Sequence, residues 1–166
     1  MEDCTNNNVT IQRLKEILNY EPETGFFKWR VNRGGKAVQG SLAGTRDRQG
    51  YIRINLGGRI YAAHRLAWFY MNGTWPKDQI DHRDLDKANN SWANLREATH
   101  AQNQANTSSK NITGFKGVEK HGSRYRAYIR SNGKKQVIGT FSTPQEAHVA
   151  YVQAANDNFG EFARAS

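Results

Sequence analysis

Apolar residues change their spacing several times along this chain, and each change marks an element. Ile11, Leu14, Ile17 and Leu18 fall on one helical face, and Thr10 stands where it can cap the first turn. Pro22 and Gly25 predict a turn. FFKWRV, residues 26–31, is aromatic and β-branched and predicts a strand. The next stretch, NRGGKAVQGSLAGTRDRQG, is polar, basic and glycine-heavy and predicts a surface loop. Its Arg33, Lys36, Arg46 and Arg48 suit phosphate or plain solvent equally well. From Gly50, YIRINL and RIYAA alternate on either side of Gly57-Gly58, which predicts a hairpin with a primed turn. HRLAWFY then reads as a short helix ended by Asn72-Gly73. Trp75-Pro76 forces an extended entry into Gln79-Ile80-Asp81-His82.

Residues 80–103, IDHRDLDKANNSWANLREATHAQN, read as strand, loop, strand, helix. Asp81 and His82 offer a carboxylate for a metal and an imidazole that can serve as a base. Asn103, 22 positions on, can return an amide oxygen to the same point. Hard oxygen donors with open coordination positions suit Mg²⁺ or Mn²⁺ better than zinc. Consecutive strand residues face opposite ways, so His82 is expected to point away from Asp81. Asp84, Asp86, Asn89 and Asn90 have side chains that close turns onto nearby backbone N–H groups. An EF-hand calcium loop is a poor alternative, because DHRDLDKANN lacks the glycine at its sixth position and a closing glutamate.

QANTSSKNIT, residues 104–113, carries almost no apolar side chains and predicts a domain boundary. Three strand-like pieces follow, around FKGVEK, RYRAYIR and KQVIGTF, with turns at HGS and SNGK. Thr143-Pro144-Gln145-Glu146 is a capping box opening a helix with a stripe of small residues and Tyr151. Along the middle strand Tyr125, Ala127 and Ile129 share the side that suits the helix, and Arg124, Arg126, Tyr128 and Arg130 share the other. Between Lys110 and Lys135 eight lysines and arginines stand against Glu119 alone.

Charge sharpens this picture. The 166 residues carry a net charge of +9 and a pI near 9.8, which favours a polyanionic partner. The single cysteine, Cys4, excludes an internal disulfide and a CxxC zinc knuckle. No apolar run has membrane length, and the start MEDCTNNN carries no signal-like apolar region, so a cytoplasmic protein is expected. Asn106-Thr107-Ser108 and Asn111-Ile112-Thr113 match the glycosylation pattern only by chance on that expectation.

The joint spacing of Asp81-His82, Asn89-Asn90, Asn94-Leu95 and Asn103 resembles the HNH nucleases with a ββα-metal motif, in the phage-type branch that begins Asp-His. The resemblance implies that Asp81 and Asn103 hold one Mg²⁺ or Mn²⁺ ion and that His82 polarises the attacking water. Asn94 corresponds to the middle asparagine of the HNH name, which ties the loop together. His64, in an HRL ahead of the active strand as in these relatives, is expected to support the site, as are Asn90 and Arg96. Products with a 3′ hydroxyl and a 5′ phosphate are implied.

FKGVEK, RYRAYIR and IGTFSTPQEAHVAYVQAA resemble, in that order, the APETALA2-type DNA-binding domain of plant ethylene-response factors, which also occurs attached to phage and bacterial HNH nucleases. Glu119 stands at or beside a position where the plant factors use a DNA-contacting arginine, so their target does not transfer. The resemblance implies DNA contacts from Lys116, Arg124, Arg126, Tyr128, Arg130 and Lys135. The expected fold is α+β: an HNH nuclease domain over 1–106, a linker over 107–113, and over 114–166 a three-stranded antiparallel sheet packed on one helix. The expected function is a metal-dependent endonuclease, related in kind to homing enzymes, that nicks double-stranded DNA and needs no small-molecule cofactor. A non-catalytic DNA-binding regulator on a degenerate nuclease scaffold remains the alternative. An RNA-binding protein fits less well, because Tyr128 is the one aromatic on the basic strand face.

Overall fold

A computed structural model describes residues 9–35, 37–107, 112–131 and 133–164. Cys4, Lys36, Lys110, Asn132 of the SNGK turn, and residues 108–111 of the expected linker, with one end of each glycosylation pattern, lie outside those ranges. The chain is of mixed α and β structure and divides into two compact units, Met1–Glu97 and Ala98–Ser166.

The first unit begins with α1, Ile11–Ile17, capped by the Thr10 hydroxyl on the Arg13 N–H. The apolar face ends one residue earlier than its periodicity suggests, because Leu18 opens β1, Leu18–Glu21, which pairs antiparallel with β2, Phe26–Trp29. The glycine-rich loop contains a strand its composition conceals: β3, Thr45–Arg46, pairs with β4, Ile52–Leu56. β4 turns through Gly57 and Gly58, both at positive φ as a primed turn requires, into β5, Arg59–Ala62. α2, Ala63–Asn72, packs on β4 and β5 and ends at Gly73 in the left-handed conformation. Leu14, Leu18, Ile54, Leu66 and Ala67 are fully buried in one cluster between these elements, with Ile80 and Leu95 joined to it. That cluster anchors β6, Gln79–His82, and β7, Leu95–Ala98, which form a two-stranded sheet. A single 3-10 turn, Trp92–Asn94, leads into β7.

The second unit starts with α3, His100–Ala105, which carries a complete capping box between Thr99 and Gln102. By its contacts α3 packs with α4, Pro144–Phe159, and with the closing turn Gly160–Phe162. The division therefore falls before α3, ahead of the expected linker. The physical reason is that Ala105 and Asn106 are buried and the Lys116 ammonium donates to the carbonyls of Ala105 and Thr107. β8, Val118–His121, β9, Arg124–Ser131, and β10, Lys134–Phe141, form an antiparallel sheet with β9 in the centre. Ala127 and Ile129 meet Ala147, Tyr151 and Ala155 of α4, the face that alternation predicts. Among the described residues no helix is long and apolar enough to cross a membrane.

Gly25, at φ +76°, sits where an added Cβ would fall inside the main chain of Asn90 and Ser91. Gly34, at φ +87°, has nothing within 4 Å. Gly25→Ala is expected to destabilise by about 2–4 kcal/mol, conformational cost plus clash, whereas Gly34→Ala costs the conformational part alone, about 1–2 kcal/mol. Urea unfolding of the two variants checks the difference.

Candidate active site

The loop between β6 and β7 is held by asparagine and aspartate side chains. Asp86 N donates to Asp84 Oδ1 (2.8 Å), Ala88 N to Asp86 Oδ1 (3.0 Å) and Ser91 N to Asn89 Oδ1 (3.2 Å). Asn94 ties both ends together. Its Nδ2 donates to Asp84 Oδ1 (2.9 Å) and Asn89 O (2.8 Å), its Oδ1 accepts from Asp84 N (3.0 Å), and its carbonyl accepts from Arg83 N (2.9 Å). Burial opposes ionisation of Asp84, but hydrogen bonds from Asn89, Asn94 and the Asp86 N–H hold its carboxyl below the usual range. Within this loop Leu85 has φ +69°, and it is the one non-glycine among the described residues at positive φ.

His82 closes β6 and is buried, at 5% exposure. Its Nε2 lies 3.3 Å from Asn90 Oδ1. The Asn90 amide is oriented by its Nδ2, which donates to Ala88 O, and its main chain is fixed by the Tyr20 hydroxyl donating to Asn90 O (2.7 Å). An amide oxygen only accepts, so Nε2 carries the ring proton and Nδ1 the lone pair. Burial lowers the His82 pKa, opposed by the Asn90 bond and by the charges of Asp84, Asp81 and Asp86. The imidazole is therefore neutral at neutral pH.

His64, on the first turn of α2, stands edge-on to His82 with ring centroids 5.1 Å apart at 82°. Its Nδ1 is buried without a hydrogen-bond partner. Burial first, then the charges of His82, Arg65 and Arg53, pushes its pKa down to about 3. Tyr51 completes the cluster, 5.2 Å from His64 and 6.1 Å from His82, with the Lys87 ammonium 4.8 Å from its ring centroid. Nothing in the sequence marked Tyr51, Lys87, Tyr20 or Gly25 as belonging to the site. They join the site only through chain folding, across spacings that no local pattern encodes.

Asp81 takes a different environment from the one expected of an open ligand. At 3% exposure it pairs with Arg96, whose Nε lies 2.8 Å from Asp81 Oδ2. Arg96 is correspondingly buried on β7, with its guanidinium turned to the Asp81 carboxylate. Asp81 and His82 are both buried and are separated by their partners rather than by exposure. Asn103 lies on α3 in the second unit, its N–H bonded to Thr99 O (3.0 Å). Among the described residues no group of three or more His, Cys, Asp and Glu side chains is arranged to hold a metal. A carboxylate is a hard oxygen donor, so the chemistry of Asp81 suits a hard cation such as Mg²⁺ or Mn²⁺.

On the second unit Arg124 donates to Thr140 O (3.2 Å), and Arg126 lies 2.6 Å from His121 Nε2 and 3.7 Å from Glu119. Lys135 is 2.6 Å from Glu119 Oε2 and 4.2 Å from the Tyr128 ring centroid. The Lys135 bond holds the Glu119 carboxyl below its usual range, opposed by burial and helped by the charges of Lys135, Arg126 and His121. Arg130 is exposed opposite Lys135. Lys116, expected on this surface, is instead half-buried on the Ala105 and Thr107 carbonyls. Burial and the Arg164 charge lower its pKa to about 8.

Comparison with known proteins bears on the same residues. A family profile described as HNH endonuclease matches residues 61–105, which span α2, β6, the loop, β7 and α3. The chain is also similar to an uncharacterized HNH endonuclease of Acanthamoeba polyphaga mimivirus. The two are 31% identical over 148 residues, covering 88% of this chain and 70% of the relative.

The depressed His64 pKa has a consequence for folding. The unfolded chain protonates this histidine near pH 6.5 and the folded protein only near 3, so stability is lost as pH falls through that window. Near pH 4.5 the loss from His64 is about 2–3 kcal/mol. His64→Phe, which removes the unpartnered nitrogen, is expected to abolish that part of the difference between urea unfolding at pH 7 and near pH 4.5.

Proposed function

Because the chain belongs to the HNH endonuclease family, we propose that it hydrolyses phosphodiester bonds as a metal-dependent DNA endonuclease, nicking double-stranded DNA inside the cell. The observation that carries this reading is His82. Asn90 keeps its imidazole oriented and burial keeps it neutral, as a general base at neutral pH requires. Water gives its proton to the His82 imidazole, its oxygen bonds to phosphorus, and the bond to the 3′ oxygen breaks; a solvent water protonates the departing oxygen, leaving a 3′ hydroxyl and a 5′ phosphate.

Family members are generally dependent on a divalent metal. Asp81 and Asn103 would hold Mg²⁺ or Mn²⁺, and Arg96 orients the Asp81 carboxylate. When bound, such an ion offsets charge on the non-bridging oxygens and on the departing oxygen. Asn94 keeps the β6 end in place by closing the loop, and His64 packs against the base.

The C-terminal sheet is the targeting module in this reading. Its helix-opposed face gathers Arg124, Arg126, Tyr128, Arg130 and Lys135, with Glu119 their one carboxylate partner among the contacts described above. A sheet of this size enters a major groove, and the likeness to APETALA2-type domains supports that use. Residues 1–106 then form the nuclease part and 114–166 the reader.

Supercoiled plasmid with Mg²⁺ or Mn²⁺ is expected to be nicked, and EDTA to stop it. His82→Ala is expected to lower the rate by about 10²-fold or more. Asp81→Ala and Asn103→Ala are expected to reduce cleavage far more than DNA binding, and equal losses of both would remove them as metal ligands. DNA retention without nicking under any divalent metal would replace the nuclease with a non-catalytic regulator. For the reader, Arg130→Ala is expected to lower the slope of log affinity against log salt by about one.

A further inference from the structure

The outer face of the β3–β4–β5 sheet carries two adjoining clefts that the catalytic reading does not use. One, of about 540 Å³, includes Trp29, Arg33, Arg53 and Ile60 in its lining, and the other, of about 470 Å³, includes Arg53, Arg59, Ile60 and Tyr61. They adjoin at the shared Arg53 and Ile60 as one trough, and among the described residues no aspartate or glutamate lines either. Arg33 lies over Trp29, its Cζ 5.1 Å from the ring centroid, and Arg59 over Tyr61 at 5.5 Å. A ring beneath a guanidinium holds its plane still, and Arg33 also donates to Asn55 O (3.2 Å); a guanidinium with its five donors can hold such a partner and a phosphate together. Arg53 is oriented through Nε by Asp47 (2.7 Å), and its Cζ lies 5.4 Å from the Tyr51 ring, which itself is 6.1 Å from His82. Tyr51, which lines neither cleft, stands between Arg53 of the shared lining and the rings of His64 and His82.

We infer that this trough is a second DNA contact, a track for the phosphate backbone of duplex DNA. Its charge fits a polyanion, and its length across two clefts fits repeated phosphates. The aromatic rings decide between duplex and single strand. Trp29 and Tyr61 are each 8% exposed and support arginines, and the half-buried Trp75 of the second cleft is already stacked on Phe69 (4.3 Å) and near-parallel to Tyr61 (5.8 Å), so the three rings offer no platform on which an unpaired base could stack. Ile60, 65% exposed at the centre of the trough, is a position where charge can be changed without touching the core.

This inference rests on DNA being the substrate, and the experiment separates the two. Binding of the full chain to a fluorescent random-sequence duplex is measured in EDTA over a range of salt. Arg33→Ala/Arg59→Ala is expected to weaken binding about tenfold or more and to lower the salt slope by about two. Ile60→Lys is expected to tighten binding and steepen the slope by about one, and Ile60→Glu to weaken it. Because the Ile60 pair gives opposite signs at an exposed site, impaired folding cannot mimic it. Failure of the unaltered chain to bind the duplex at low salt would remove the DNA reading itself. Duplex binding by the unaltered chain, with affinity and slope unchanged in all three variants, would overturn the track alone. Preference of the unaltered chain for single strands, lost in the double variant, would overturn the assignment to duplex.

Discussion

Asn90 is the residue on which the first unit's chemistry depends. It is 2% exposed, and both ends of its polar character are spent: its carbonyl on Tyr20 and its amide on Ala88 and His82. A buried amide left unpaired costs about 1–3 kcal/mol, so this network is stable only when complete. Completeness carries two results at once. The loop is pinned to β1 and the Gly25 turn, and the ring of His82 is fixed in one tautomer. Gly25 belongs to the same constraint, since only a residue without a Cβ lets the two main chains approach so closely.

The pair of Asp81 and Arg96 obeys a different rule. Two charges out of water are expensive, and their attraction repays the cost only with good geometry. Here the partners come from β6 and β7, the two strands of one small sheet, so the ion pair ties the strand that carries Asp81 and His82 to its neighbour. The carboxylate is thereby fixed in orientation by a partner 15 positions along the chain. His64 adds an apolar-like wall despite its ring nitrogens. Its buried, unpartnered Nδ1 is tolerated because the ring stays neutral.

In the second unit a sheet is divided by alternation into a packed side and a charged side. Small residues of α4 let the helix lie close to Ala127 and Ile129, and at Gly117 an added Cβ would enter the ring of Tyr151. The charged side is less uniformly basic than its residue count suggests. Glu119 draws Lys135 and Arg126 toward itself and organises them, so the surface is a network with directions rather than a row of solvated cations.

Local physics made much of this chain legible from residues alone. The Gly57-Gly58 hairpin, the Thr143–Glu146 capping box, the Gly73 helix end and the alternation along β9 are each set by neighbours a few positions apart. The family resemblance lay in the same kind of short-range pattern, the spacing from Asp81 to Asn103. What only the tertiary structure decided is whatever depends on partners distant in sequence. Arg96 has the same composition signal whether it faces solvent or Asp81. Lys116 counts as one more positive charge until the Ala105 and Thr107 carbonyls claim it. Tyr20 and Tyr51 are ordinary strand-region aromatics until burial sets one on Asn90 and the other beside His64 and His82. Periodicity reports which face of an element is buried, but it does not name what lies across from it, and hydrogen bonds, ion pairs and pKa shifts are made with whatever lies across.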